Sequence, residues 1–212
     1  QDYPEAFFAP KVHTIPRPRP DLQQLAKAID ALKVAKKPLI ISGGGVRYSF
    51  AEELVAEFAK ARGIPVCETI AGKGAVIHDH PAYVGGIGVT GSSSANAMAE
   101  EADVVLAIGT RLQDFTTGSW TSFQHDAKFI SINTARWDAV KHLAIPVVGD
   151  ALETMRELDS GLGDWRAPAS WMDKGREEMA NWNTLIDEHQ APTNAVVPSY
   201  AQVIKVIQDN VD

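Results

Sequence analysis

Three glycine-bearing turns carry the residues of this chain best placed to do chemistry: Gly43-Gly44-Gly45, Gly109-Thr110-Arg111 and Gly149-Asp150. Each closes a short apolar run, which puts bare backbone at the carboxyl end of a candidate strand, where open α/β sheets bind ligands. The triple glycine, with Ser49 expected at a helix start behind it, could turn backbone N–H groups and a helix dipole toward a phosphate. It lacks the full G-x-G-x-x-G spacing, so a plain tight strand-to-helix turn accounts for it equally well. Arg111 could fork a phosphate or carboxylate, or simply pair with Asp114. His78-Asp79-His80-Pro81 alternates possible metal ligands without a third one nearby, and no metal site is expected there. Cys67, inside the strand-like Pro65-Val66-Cys67-Glu68, reads as a small buried hydrophobe. His13, His125, His142 and His189 are scattered, and no Ser or Cys has an evident base partner. No catalytic residue is therefore assigned.

The elements that must position these turns alternate along the chain. The apolar runs at Leu39 to Ser42, around Val66, at Val104 to Ile108, Phe129 to Ile132 and Pro146 to Val148 read as buried parallel strands. Between them lie amphipathic segments with capping signals. Asp21 with Gln24 opens a helix bearing Leu22, Leu25, Ile29 and Leu32. Ser49-Phe50-Ala51-Glu52 reads as a capping box for a helix whose apolar face is Ala51, Leu54, Val55, Phe58 and Ala59, stopped by Gly63. Ser92 to Ser94 cap a helix through Met98 and Glu101, and Asp150 with Glu153 caps one bearing Leu152, Met155 and Leu158. The fold expected is α/β: a Rossmann-like open parallel sheet of about six strands, with helices on both faces and right-handed crossovers.

Composition frames this reading. The chain has 212 residues, 45% hydrophobic and 22% charged, with 27 acidic against 20 basic side chains and a net charge of −7. That acidity repels polyphosphate backbones, so no nucleic-acid partner is expected. No apolar run approaches the length of a membrane helix and no signal peptide is read, so no membrane partner is expected. One cysteine excludes a disulfide framework, and a cytoplasmic location fits. Five prolines in residues 1–20 mark an extended linker, and residues 21–160 form the central unit. Residues 161–197 read as a connector with a long helix marked by Trp171, Gly175, Met179, Trp182 and Ile186. Residues 198–212 read as a final helix. Neither helix has a strand of this chain left to cover, and each is expected to dock on something outside it. The start at Gln1 reads as that of a piece excised from a longer protein.

Seven motifs in order carry a resemblance: Pro38 to Gly45, Gly63-Ile64-Pro65-Val66, Gly72-Lys73-Gly74 with His80-Pro81, Gly85 to Gly91, Ala102-Asp103-Val104-Val105, Gly109-Thr110-Arg111 and Val148-Gly149-Asp150. From about Asp21 to Leu158 the chain resembles the central domain of thiamine diphosphate enzymes of the acetohydroxyacid synthase and pyruvate oxidase group. Gly109 to Ser119 and Tyr3 to Phe8 most resemble the branch of ring-opening dione hydrolases of myo-inositol catabolism; a carboligase parent shares the same motifs. The resemblance implies a homo-oligomeric parent with a pyrimidine-binding domain before this one and a diphosphate-binding domain after it, opening at Pro198-Ser199-Tyr200. Thiamine diphosphate and Mg would belong to that parent. The Gly-Asp-Gly motif with paired Asn is absent here, since Ala151 follows Gly149-Asp150, so the chain alone is expected neither to bind that cofactor nor to turn over.

The implied family chemistry is carbon–carbon cleavage of a small cyclic dione by the cofactor, followed by hydrolysis to a ring-opened deoxyuronic acid. By position, Gly88, Thr90, Gly91, Asp114 and Phe115 would form part of the substrate entrance, with Phe115 where relatives commonly carry Arg. Some members hold FAD or ADP through positions matching Gly43, Gly44, Gly45, Gly109, Thr110, Arg111, Gly149 and Asp150. Others leave that crevice empty, the reading preferred here. An autonomous nucleotide-binding module, like the FAD domain of electron-transfer flavoproteins, is the competing reading.

Overall fold

The computed structural model describes residues 2–211. Along the chain run α1 (Leu22–Val34), β1 (Pro38–Ser42), α2 (Gly44–Tyr48), α3 (Glu52–Arg62), β2 (Val66–Glu68), β3 (Tyr83–Gly86), α4 (Ser93–Glu101), β4 (Val104–Ile108) and α5 (Asp114–Thr117). They are followed by β5 (Lys128–Asn133), α6 (Arg136–Ala139), β6 (Ile145–Val148), α7 (Ala151–Leu162), α8 (Ala169–Gln190) and α9 (Tyr200–Asn210). The six strands form one all-parallel sheet in the order β3-β2-β1-β4-β5-β6. The strand order reverses between β1 and β4, and open α/β sheets bind ligands outside the carboxyl ends of the strands at such a switch point.

The continuous apolar runs have a direct cause, since both faces of each strand are covered. Ile40, Val66, Leu106, Ile108, Ile130 and Ile132 point into a core closed by Leu25 and Leu32 of α1, Val55 and Phe58 of α3, and Met155 and Leu158 of α7. Leu39, Ile41, Cys67, Val105, Ala107 and Phe129 face the opposite core, with Ala95, Met98 and Ala99 of α4. The Cys67 thiol is fully buried on the Ile40 carbonyl, and burial pushes its pKa up.

Four sequence expectations need correction. Leu22, expected on the apolar face of α1, is exposed; the buried residues there are Leu25, Ala28, Ala31 and Leu32. Ser49 does not open a helix. It ends the short α2, and α3 begins after Ala51 with no side-chain cap, because the Ser49 hydroxyl turns to Asp150 instead. The glycine-rich stretch after Ala82 contains the sixth strand, β3, which short length and two glycine positions had disguised. Finally, the long helix does cover strands of this chain. Trp171 and Met172 of α8 are buried, Trp171 Nε1 donates to the Pro38 carbonyl at 2.8 Å, and Gly175 lets the helix pack against Val84 and Pro65. The caps at Asp21, Ser92 and Asp150 and the stop at Gly63 form as expected.

Candidate functional site

The carboxyl edge of the sheet carries three adjoining clefts. Over β1, β4 and β5 lies a crevice of about 690 Å³ bounded by Gly44, Gly45, Thr110, Arg111, Phe115 and Asn133. Beside it, sharing Gly45, Gly109 and Asn133, is a cleft of about 410 Å³ that includes Gly149 and Asp150 and is walled by Ile15, Pro16 and Pro18 of the N-terminal segment. On the other side, sharing Thr69 and Ile70 with the crevice, a cleft of about 530 Å³ opens between the ends of β2 and β3 and the second half of α8.

The glycines of the crevice give their N–H groups to neighbouring main-chain carbonyls. Gly43 N–H donates to the Ile108 carbonyl, Gly45 N–H to Gly109, Gly109 N–H to Ile132 and Gly149 N–H to Asn133, at 2.8 to 3.2 Å. The β1 and β4 loops touch backbone to backbone: a Cβ on Gly45 would stand 2.6 Å from Gly109 Cα, and one on Gly43 would stand 2.6 Å from Thr110 Cβ. Glycine is required here because two main chains occupy the space side chains would need. Those four amides therefore have no donor left for a diphosphate.

Asp150 is equally engaged. Its Oδ1 accepts the Leu152 and Glu153 N–H groups at the start of α7, and its Oδ2 accepts Arg17 Nη1 at 2.9 Å and Ser49 Oγ at 2.8 Å. Four bonds fill the acceptor capacity of a carboxylate. Arg17 also donates to the Ser49 carbonyl, and the Asp150 N–H donates to Pro18, so residues 17–18 are strapped across the end of the crevice. A magnesium diphosphate does not fit Asp150 in this arrangement. Among the described residues no group of three or more His, Cys, Asp or Glu side chains could hold a metal ion.

Arg111 stands apart. Its side chain is exposed and forms no hydrogen bond or ion pair among the described residues, so the alternative pairing with Asp114 does not form. Of the eight glycine-turn residues, it is the one presenting an uncommitted charge to the crevice.

The residues expected at the entrance form one connected rim. Val89 N–H donates to the Phe115 carbonyl at 2.9 Å, and Gly88, at φ 119°, packs where a Cβ would meet Thr116 Cα at 3.1 Å. Asp114 opens α5 on that rim, and Phe115 is half exposed. Thr90 and Gly91 face the β2–β3 cleft, while Phe115 faces the crevice.

Sequence reading passed over the side chains of the β2–β3 cleft. Glu68 is almost wholly buried, and its carboxylate accepts the Val76 N–H at 2.8 Å and the Gly74 N–H at 3.2 Å. Lys73 Nζ donates to the Tyr83 hydroxyl at 2.9 Å and sits over its ring. That bond raises the Lys73 pKa, and burial, with Glu68 adding to it, raises that of Tyr83. The one available signal was a carboxylate ending a strand-like run just before Gly72-Lys73-Gly74. A buried acid needs a nearby donor or cation.

Comparison with known proteins fits this geometry to a family. Residues 25–158 match the model of the thiamine pyrophosphate enzyme central domain. The chain belongs to that family. It is 44% identical over 162 residues to 3D-(3,5/4)-trihydroxycyclohexane-1,2-dione hydrolase of Clostridium perfringens, which covers 76% of this chain and 25% of the relative. The protein of the same name from Geobacillus thermodenitrificans is 43% identical over 186 residues, 88% of this chain and 29% of its own. One from Bacillus thuringiensis is 46% identical over 158 residues, 74% of this chain and 24% of its own. The chain thus spans about a quarter of the length of the curated relatives it matches. No helix among the described residues is long and apolar enough to cross a membrane.

Proposed function

We propose that this chain is the central domain of a thiamine diphosphate-dependent hydrolase that opens the ring of a trihydroxycyclohexane-1,2-dione in inositol breakdown, and that within it the chain is scaffold and entrance wall. The observation that carries the first half is 42–46% identity to proteins of that name across most of the chain. The second half rests on the internal engagement of Asp150 and the crevice amides. When bound in the parent, thiamine diphosphate with Mg supplies the electron sink for carbon–carbon cleavage. This chain's residues hold the rim of Gly88, Thr90, Gly91, Asp114 and Phe115 in place and present Arg111 to the crevice. Its partners are flanking domains of the same polypeptide and further copies in a homo-oligomer, in the cytoplasm.

The test compares the 212-residue chain with the longer polypeptide containing it. Ring opening by the longer protein with Mg and thiamine diphosphate, and none by the chain, is the expected result. Turnover by the chain alone, or carboligation without ring opening by the longer protein, overturns the reading. Calorimetric titration of the chain with FAD, ADP and NAD addresses the nucleotide-module alternative: micromolar binding would establish it, and no heat is expected.

A further inference from the structure

We propose that a pocket at the amino edge of the sheet, away from the three clefts described above, binds a compact phosphate monoester. The pocket encloses about 220 Å³ and is bounded by Lys60 and Gly63, which precede β2, by Pro81 and Ala82, which precede β3, and by the start of α8. Because the strands all run parallel, these positions lie at the end of the sheet opposite to the crevice, and the residues of the crevice and the rim take no part in the pocket. The site stands whether or not the longer protein opens a dione ring.

Charge sets this pocket apart. Lys60, Arg166 and Arg176 border it with Asp173 as the one acid, so three positive charges against one negative leave +2 in a chain whose net charge is −7. Asp173 is committed to Arg176, its Oδ1 accepting Arg176 Nη1 at 3.0 Å. Lys60 and Arg166 are exposed, and their side chains form no hydrogen bond or ion pair among the described residues. The backbone imposes their convergence. Lys60 stands on the last turn of α3, which Gly63 stops. The segment carrying Arg166 is clamped on either side: Arg62, neutralised by Asp159, donates to the Trp165 carbonyl at 3.0 Å, and the Ala167 N–H donates to the Arg62 carbonyl at 2.9 Å. Two like charges are thus held at one opening, an arrangement that repels itself until an anion enters.

Two unpaired cations match a dianion, and a phosphate monoester carries close to two charges at neutral pH on a single head. Arg166 offers a planar fork for two of its oxygens. The Ala169 N–H, at the uncapped start of α8, borders the same pocket and has no acceptor among the described residues. Pro81, Ala82 and the buried Met172 supply an apolar wall for a small carbon body. The pocket is too small for a nucleotide, since sites for drug-sized ligands start at about 300 Å³.

The test is a titration of the ¹⁵N-labelled chain, at constant ionic strength, with inorganic phosphate, glycerol 3-phosphate and malonate, a dianion whose charges sit on two separate carboxylates. Saturable movement of the Gly63, Ala167 and Ala169 amide resonances is expected with both phosphates, with Kd on the order of 1 mM. Malonate should bind at least about fivefold more weakly. Lys60→Gln and Arg166→Gln, both at exposed positions, should each weaken the glycerol 3-phosphate response about fivefold, and the double variant should abolish it. Lys33→Gln, which removes an exposed lysine of α1, should leave it unchanged. No saturable shift, an equal response to malonate, saturation with inorganic phosphate alone, or a response that survives the double variant overturns the inference. Equal weakening by Lys33→Gln would mark a diffuse charge effect and overturn it as well.

Discussion

The crevice over β1 and β4 and the cleft over β2 and β3 lie side by side on one edge of one sheet, and they handle polar atoms in opposite ways. In the crevice, glycines bring two main chains into contact and their N–H groups donate to neighbouring main-chain carbonyls. In the cleft, Glu68 is buried on the Gly74 and Val76 N–H groups and Lys73 donates to the Tyr83 hydroxyl, beside open space. The lesson is that glycine marks where backbone must pass closely, which is a packing requirement as often as a ligand cradle.

Replacing glycine in the crevice is the severest way to break this comparison. Gly109→Ala places a methyl 2.5 Å from Gly45 Cα at φ 59°, and should cost about 3 kcal/mol or more in urea denaturation. A phosphate cradle would instead lose affinity with little loss of stability. Next comes Asp150→Ala, which removes the α7 cap and strands Arg17, at about 3 kcal/mol. Hydrogen exchange of the amide at position 150, whose N–H is bonded to the Pro18 carbonyl, should then accelerate, and unchanged exchange would mean that the strap is held by something else. In the cleft, Tyr83→Phe leaves Lys73 without its partner and should lower stability by about 1 kcal/mol, read by thermal unfolding.

The smallest effect is on pH dependence. Burial lowers the pKa of His80, whose Nδ1 accepts the Ala82 N–H just before β3, and also that of His142, stacked on Trp120. The native state therefore binds their protons more weakly than the unfolded chain does. Their contribution is complete above the ordinary imidazole value of 6.5 and fades as the pH falls through it toward the lower native value. His80→Gln should flatten this acid limb of a Tm profile; a limb unchanged by that substitution would assign the titration elsewhere.

Most of the sheet was legible because doubly covered strands are apolar at most positions, and five of the six announce themselves that way. β3 did not, since Tyr83-Val84-Gly85-Gly86 has only two bulky residues and lies at an edge. The Ser49 cap was misread because a capping-box sequence says nothing of a carboxylate 101 residues away that competes for the hydroxyl. Site reading followed the same limit. The glycine turns were found from spacing, but whether their amides were free depended on partners from other strands. Glu68 and Tyr83 become neighbours of Lys73 only through the parallel pairing of β2 with β3.

The bond from Trp171 to Pro38 spans 133 residues and also sets a schedule. On a ribosome moving at ~5–20 residues per second, β1, β2 and β4 are complete several seconds before α8 emerges. During that interval the core face of Leu39, Ile41 and Val105 lacks the cover that Trp171 supplies. The nascent chain thus passes through a phase with one finished face and one sticky face, and substitutions in the first half of α8 should show themselves first as poor yield during synthesis.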